Sequence, residues 1–132
     1  MSESQTTESV EAIQALMDRW TRVHEGELDL VEDCVQPTYI RHDSQGDRVA
    51  TPAEQRAKIA ARREAIPDVR TTIHASTIAP PLVWCRWTMT GTRDGQRVTL
   101  AGLQVYRVEN GKLAETWTAD RGLGSRWPDS PA

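Results

Sequence analysis

The strongest structural signal in the chain is the stretch from residue 86 to residue 120, RWTMTGTRDGQRVTLAGLQVYRVENGKLAETWTAD. Two dipeptides, Asp94-Gly95 and Asn110-Gly111, divide it into three segments rich in Thr, Val, Leu and Trp. Both dipeptides tolerate the positive φ angles that two-residue hairpin turns require. The stretch therefore predicts a three-stranded antiparallel meander.

The two turns also predict a register. The expected pairs are Trp87 with Gly102, Cys85 with Gln104, Tyr106 with Glu115, and Gln104 with Trp117. Because successive side chains point to opposite faces of a sheet, most bulky apolar groups fall on one face. That face carries Val83, Cys85, Trp87, Met89, Leu100, Gln104, Tyr106, Val108, Leu113 and Trp117. We expect this face to be covered and to border a cavity, unless a β-bulge exchanges the faces beyond it.

Upstream of the meander the sequence predicts three helices and two strands. The helices are expected over about residues 7–24, 28–35 and 51–65, and the last one begins with the capping box TPAE. A short strand is predicted at residues 39–41 and a long one at 69–79. Helices followed by strands indicate an α+β domain, with the helices on one face of a curved antiparallel sheet.

The chain has the length of one domain, which we predict over residues 1–132. Its two ends, residues 1–6 and 121–132, are polar or rich in Gly, Ser and Pro and are expected to be loosely ordered. In the C-terminal tail, Leu123 or Trp127 has the size to dock on the body of the domain.

The charge balance argues against nucleic acid as a partner. Sixteen Lys and Arg stand against 19 Asp and Glu, for a net charge of −3, and no basic stripe is present to neutralise phosphates. Cys34 and Cys85 form neither a disulfide framework nor a zinc pattern, so both are expected to be reduced. With no signal-peptide pattern and no membrane span in the sequence, we predict a cytoplasmic protein without membrane contact.

Four segments resemble the NTF2-like superfamily and, within it, the SnoaL-like polyketide cyclase family. They are YIRHD at 39–43, IPDVR at 66–70, RWTMTGT at 86–92 and VYRVENGKLAETWTAD at 105–120. The resemblance extends over about residues 10–120 and implies a cone in which a bent sheet wraps around helices and leaves a pocket. It does not fix the reaction, because this fold hosts cyclases, isomerases, dehydratases, epoxide hydrolases and non-catalytic binders.

Three features depart from these families. The first long turn reads GTRDGQRV, without the longer loop with paired prolines that many SnoaL-like proteins carry. The cyclases resemble one another in a carboxylate base on a central strand, but VTLAGLQVY at 98–106 contains no acid. Limonene-type epoxide hydrolases carry an Arg-x-Asp pair where this chain has Arg86-Trp87-Thr88. For Arg86 we therefore expect a salt bridge on the outer face of the sheet or at a dimer contact.

The resemblance implies two catalytic candidates. His42 stands where similar ketosteroid isomerases place a general base, and histidine exchanges protons near neutral pH. Asp120 ends a W-x-x-D segment, and in related families this segment reaches towards the pocket. By this resemblance, Asp120 would pair with His42 and raise its basicity, or act as the base itself. The alternatives are a surface histidine in a loop and a strand-ending acid bonded to a backbone amide or to Arg121. Of the other histidines, His74 is expected to be exposed and His24 to end a helix, neither with a catalytic role.

Four residues on the apolar face are predicted to bind the substrate: Trp87, Gln104, Tyr106 and Trp117. The aromatic side chains offer flat walls for a ring system, and a buried amide needs a hydrogen-bond partner. The alternative for each aromatic residue is a position in the core.

These observations predict a small-molecule enzyme that performs acid/base chemistry on an apolar carbonyl compound, such as cyclisation, isomerisation or dehydration of a polyketide intermediate. No metal or organic cofactor is implied, because neither a ligand cluster nor a phosphate loop is present. The alternatives are a non-catalytic ligand-binding or dimerisation module and a limonene-type epoxide hydrolase. The fold also implies a homodimer through the outer sheet face, which contains Trp84, Leu103 and Val105.

Overall fold

The computed structural model describes residues 8–131. Its helices come first in the chain, interrupted by one hairpin. In chain order the elements are α1 (Val10–His24), a 3-10 turn (Leu28–Leu30), α2 (Val31–Cys34), β1 (Val35–Asp43), β2 (Gly46–Ala50), α3 (Pro52–Ala65), β3 (Arg70–Ala79), β4 (Leu82–Arg93), β5 (Gln96–Glu109) and β6 (Lys112–Leu123). This order confirms the predicted α+β class.

Both long helices begin at side-chain caps. The Ser9 hydroxyl accepts a hydrogen bond from a backbone N–H of α1, whereas the predicted start at Thr7 lies outside the described residues. The capping box of α3 is confirmed: the Thr51 hydroxyl accepts from the Glu54 N–H, and the Glu54 carboxylate accepts from the Thr51 N–H. These caps satisfy backbone donors that have no partner within a helix.

The six strands form one curved sheet in the order β2-β1-β6-β5-β4-β3, in which only β1 and β6 run parallel. Both predicted hairpin turns are confirmed. Asp94 and Asn110 have φ angles of 51° and 50°, and the glycine after each also has a positive φ. The predicted short strand is part of a longer one, β1, and sequence analysis missed β2, which pairs with it in a hairpin.

The predicted register is confirmed between β4 and β5 and wrong in β6. Trp87 pairs with Gly102 and Cys85 with Gln104, as expected. Beyond the second turn, Leu113 pairs with Val108 and Glu115 with Arg107, so that Ala114 is one residue too many. This bulge shifts β6 by one position, and the pairs that follow are Tyr106 with Thr116, Val105 with Trp117, and Gln104 with Thr118.

The helices pack on one face of the sheet, which we call the inner face. Its core contains side chains from α1, α3 and the long strands: Ile13, Leu16, Trp20, Val23, Ile59, Val83, Tyr106 and Val108. The opposite, outer face exposes large apolar groups, among them Trp84, Leu103 and Trp117. Within the described residues, no helix is long and apolar enough to cross a membrane.

The C-terminal tail lies on part of the outer face. The Trp127 indole N–H donates to the Trp87 carbonyl oxygen at 2.9 Å, while Leu123 remains 74% exposed. The Asp129 carboxylate binds both guanidinium nitrogens of Arg86 at 2.8 and 3.0 Å. Where we expected a loosely ordered segment, the tail therefore makes side-chain contacts with β4.

The packing of Trp87 against Gly102 gives the first prediction. A Cβ atom on Gly102 would lie 2.4 Å from the Trp87 ring, so we expect Gly102→Ala to lower the free energy of unfolding by about 1–3 kcal/mol. Chemical denaturation measures this change. In a Trp87→Leu background the same substitution should cost less, and equal costs in both backgrounds would show that the ring is not the obstacle.

Candidate functional site

A cavity of about 570 Å³ lies between α1, α3 and strands β3 to β5. Three of the four predicted substrate-binding residues, Trp87, Gln104 and Tyr106, line it. They reach it because the β4–β5 register places them on the inner face, as alternation along the strands predicts. The volume is in the range of pockets that bind small organic molecules.

The fourth predicted binding residue, Trp117, lies on the outer face. The bulge at Ala114 reverses the orientation of the side chains that follow it in β6. Trp117 is 39% exposed and borders a groove on the outer face together with Trp84 and Leu103. Its predicted place beside Gln104 is therefore wrong.

His42 is also on the outer face and does not line the cavity. Its ring stacks on Trp117, with the ring centroids 5.4 Å apart. Nδ1 lies 2.7 Å from the Asp47 carboxylate and Nε2 lies 2.6 Å from Glu115. These two carboxylates raise the pKa of His42, Asp47 having the larger effect, although the ring is partly open to solvent.

Asp120 pairs with Gly102 in the register of β6, which places it on the inner side of the strand end. Its carboxylate is exposed and accepts a hydrogen bond from the Gly122 backbone N–H at 2.8 Å. The hydrogen bonds of His42 go to Asp47 and Glu115, so the structure does not bring His42 and Asp120 together.

Arg86 and His74 form a second polar cluster on the outer face. Arg86 makes the expected salt bridge, with Asp129 of the tail. His74, which we expected to be exposed, has a side chain only 4% exposed, because the tail covers it. Its Nε2 lies 2.7 Å from the Thr88 hydroxyl, which in turn contacts the Ser130 hydroxyl. This cluster fastens the tail to the sheet.

His24, for which we predicted no role, lies in the cavity wall. It is the last residue of α1, and its ring meets the Trp20 ring edge-on at a centroid distance of 4.8 Å. Burial and, after it, the charges of Arg62, Arg41 and Arg63 in that order together lower the pKa of His24 to about 3. Its position at the helix end was visible in the sequence, but the arginines that keep it neutral were not.

Two arginines of α3 also line the cavity. The Arg63 guanidinium donates to the His24 carbonyl oxygen at 2.9 Å. Arg62 is largely buried, and burial, together with Arg41, lowers its pKa. Arginine nevertheless remains protonated in proteins, so Arg62 contributes a positive charge to the cavity.

The cavity is rich in hydrogen-bond donors. Among the described residues, the buried indole nitrogens of Trp20 and Trp87 make no hydrogen bond of good geometry, although the Tyr106 hydroxyl lies close to the Trp20 N–H. Tyr106 is fully buried, and this burial raises its pKa well above the ordinary value, so its hydroxyl stays protonated. Gln104 donates to the Thr116 hydroxyl at 2.9 Å. A ligand with acceptor oxygens would satisfy the unpaired indole N–H groups.

Among the described residues, the cavity wall offers no buried carboxylate. Its lining acids are Asp18 on α1 and Glu25 directly after that helix, and both are exposed. Burial also raises the pKa of the lining Cys85 thiol to about 11, so it carries no charge at neutral pH. Within residues 8–131, no group of three His, Cys, Asp or Glu side chains is arranged to hold a metal ion.

Comparisons with known proteins agree with this architecture. The sequence profile of the SnoaL-like domain matches residues 13–116. The chain belongs to the SnoaL-like family. The match spans α1 to the middle of β6 and so includes every element that borders the cavity.

Solved structures of this fold are similar over nearly their full lengths. A candidate polyketide cyclase from Acidithiobacillus ferrooxidans is 20% identical, with a TM-score of 0.74 over 86% of this chain and 92% of that one. TsrD from Streptomyces laurentii is 18% identical, with a TM-score of 0.75 over 86% and 91%. An LEH-like epoxide hydrolase from M. tuberculosis is 13% identical, with a TM-score of 0.71 over 85% of this chain and 84% of that one. A search of curated proteins finds no match.

The neutral state of His24 gives the second prediction. Between pH 6.5 and 3 the unfolded chain binds a proton at His24 that the folded chain does not, so stability falls as the pH falls. The slope contributed by His24 is at most about 1.4 kcal/mol per pH unit. We expect His24→Gln to remove this slope, measured by denaturation between pH 6.5 and 5.

His42 provides the matched control for this measurement. Because its pKa is raised, its contribution to stability is present below about pH 6.5 and is lost as the pH rises through the folded pKa. His42→Gln should therefore change the pH dependence above 6.5 and leave the acidic slope in place. An acidic slope unchanged in His24→Gln would contradict the assignment.

Proposed function

We propose that this protein is a small-molecule enzyme that binds a largely apolar carbonyl compound in the inner cavity and performs acid/base chemistry on it. The observation that carries the proposal is a cavity lined by several side chains that can donate hydrogen bonds: the Trp20 and Trp87 indoles, whose buried N–H groups make no hydrogen bond to the described residues, the neutral Tyr106 phenol and the neutral His24 imidazole. Such donors stabilise the negative charge that develops on a carbonyl oxygen when a neighbouring C–H loses its proton.

The donor-rich wall also supports a particular kind of substrate. With a pKa of about 3, the His24 imidazole is a weak base but a competent hydrogen-bond donor to a carbonyl or an enolate. Because no carboxylate base is buried in the described wall, a substrate with an already acidic C–H is favoured. A carbon between two carbonyl groups, as in a polyketide intermediate, has this property. Isomerisation, cyclisation and dehydration of such a compound all begin with loss of that proton.

The roles predicted for His42 and Asp120 stay separate from this proposal, because neither lines the cavity. They remain testable as catalytic residues alongside the cavity residues. The epoxide hydrolase alternative has less support, since Arg86 pairs with Asp129 on the outer face and no acid follows it in β4. The second candidate function is a module that binds a ligand in the same cavity without catalysing a reaction.

The third prediction tests this function with 2-acetyl-1-tetralone, a bicyclic compound with a C–H between two carbonyls. We expect it to bind and to exchange that proton for deuterium faster with the protein than in buffer, measured by NMR. Tyr106→Phe and His24→Gln should slow the exchange by about 10-fold or more. Tetralin, which has the same ring system without carbonyls, controls for apolar binding alone.

Two results would change the assignment. If the diketone binds and its exchange is not accelerated, the protein is a binding module. If His42→Ala or Asp120→Asn slows the exchange while Tyr106→Phe and His24→Gln do not, the chemistry takes place outside the inner cavity.

We also propose a homodimer formed through the outer face. Trp84, Leu103 and Trp117 are 52%, 49% and 39% exposed and border a groove of about 370 Å³. Because the tail covers the neighbouring part of β4, these side chains form an apolar patch limited to one part of the sheet. A second copy of the chain would bury this patch.

The fourth prediction follows from this patch. Light scattering at micromolar concentration should give the mass of a dimer, and Leu103→Asp should give a monomer, because it would place two buried charges at the contact. Val10→Asp changes a residue that is 49% exposed on α1, on the helix-covered side of the sheet, and should leave the dimer intact. A monomeric wild-type protein would refute the dimer.

A further inference from the structure

Arg62 is a largely buried cation that has no counter-ion among residues 8–131. It lies in the last turn of α3 and lines the inner cavity next to Tyr106. Within the described part of the chain, its guanidinium makes no hydrogen bond. Taking a charge out of water without a partner is unfavourable, so such a group is expected to acquire a partner when the site is occupied.

Three neighbouring arginines, Arg41, Arg48 and Arg63, do not share this property. Arg63 donates to the His24 carbonyl oxygen, and Arg41 donates to the Gln55 side chain and lies 3.7 Å from Asp43. Arg48 binds the same Asp43 carboxylate through two hydrogen bonds. The fold therefore supplies partners for these three arginines and leaves Arg62 itself open to the cavity.

The surrounding charges favour an anion at this place. Arg41 and Arg62 are among the cations that depress the pKa of His24 to about 3 and that of Lys58 to about 8, after burial, which is the largest cause for both. The acids of the lining, Asp18 on α1 and Glu25 directly after it, are exposed and form no ion pair with Arg62. These cations together would attract a negatively charged group of a ligand.

We propose that the substrate is an organic acid and that its carboxylate binds Arg62. This inference rests on the proposed function of the cavity and narrows its substrate class to an apolar carbonyl compound with a carboxylate. A carboxylate matches the planar guanidinium, which can bind both oxygens at once. The apolar body of the molecule would then lie against Trp87 and Cys85, with its carbonyl oxygen near the unpaired indole N–H groups.

The fifth prediction uses two probes of nearly identical shape, 2-naphthoate and the neutral 2-naphthamide. Isothermal titration at pH 7 should show that the wild-type protein binds the acid at least about 10-fold more tightly than the amide. Arg62→Gln should abolish this preference and change the affinity for the amide by no more than about 2-fold. Arg22→Gln, which removes an exposed arginine of α1 and the same unit of charge, should keep the preference.

A second measurement guards against misfolding of the variant. Because Arg62 is among the causes of the low pKa of His24, the His24 pKa should rise in Arg62→Gln, measured by NMR. Arg62→Lys keeps the charge and loses the two-point geometry, so it should keep part of the preference for 2-naphthoate. A folded Arg62→Gln protein that still prefers the acid would overturn the proposal.

The remaining outcomes separate this inference from the proposed function. If the wild-type protein binds 2-naphthamide as tightly as 2-naphthoate, the carboxylate site is refuted. The same holds if it binds 2-acetyl-1-tetralone but neither of the two naphthalene probes. In both cases the cavity binds neutral compounds. If it binds none of the three, the small-molecule function of the cavity fails together with the inference.

Discussion

The pairing of β4 with β5 is the interaction on which the cavity depends. Its uninterrupted register from Leu82 to Arg93 determines which side chains point towards the helices. Gly102 is part of this constraint, since the Trp87 ring occupies the space in which a side chain would stand. A shift of one residue would move Trp87, Gln104 and Tyr106 to the other face and leave α1 and α3 against a mixed polar surface.

The sequence was sufficient to predict this hairpin because the information is local. A turn dipeptide with positive φ angles and regular alternation on both sides define both register and face. The error in β6 has an equally local cause, the extra residue Ala114. Ala114 and the preceding Leu113 are both buried, so neither stands out in the sequence as the residue that interrupts the alternation. Because of this one residue, Trp117 lies on the outer face and does not form the predicted aromatic wall of the cavity.

The polar part of the site was less predictable because it is assembled from distant segments. Arg62 on α3 and His24 on α1 are 38 positions apart, and nothing in the pattern of either helix indicates that both border one cavity. His42 and His24 show the consequence. Both are histidines next to charged neighbours, but His42 lies between two carboxylates and His24 is buried among arginines, so their pKa values move in opposite directions.

The central strand β5 has no acid between Val98 and Tyr106, where the resemblance to the cyclases implies a carboxylate base. In the folded chain this absence belongs to a consistent distribution of charge. Although the protein has a net charge of −3, the described cavity wall contains two arginines, a neutral histidine and two indole groups without a hydrogen-bond acceptor, and its two acids, Asp18 and Glu25, are exposed. A buried carboxylate in such a wall would pair with Arg62 and neutralise it. Because the described wall has no such carboxylate, the positive charge of Arg62 is available to a ligand. A carboxylate of the substrate can then pair with it.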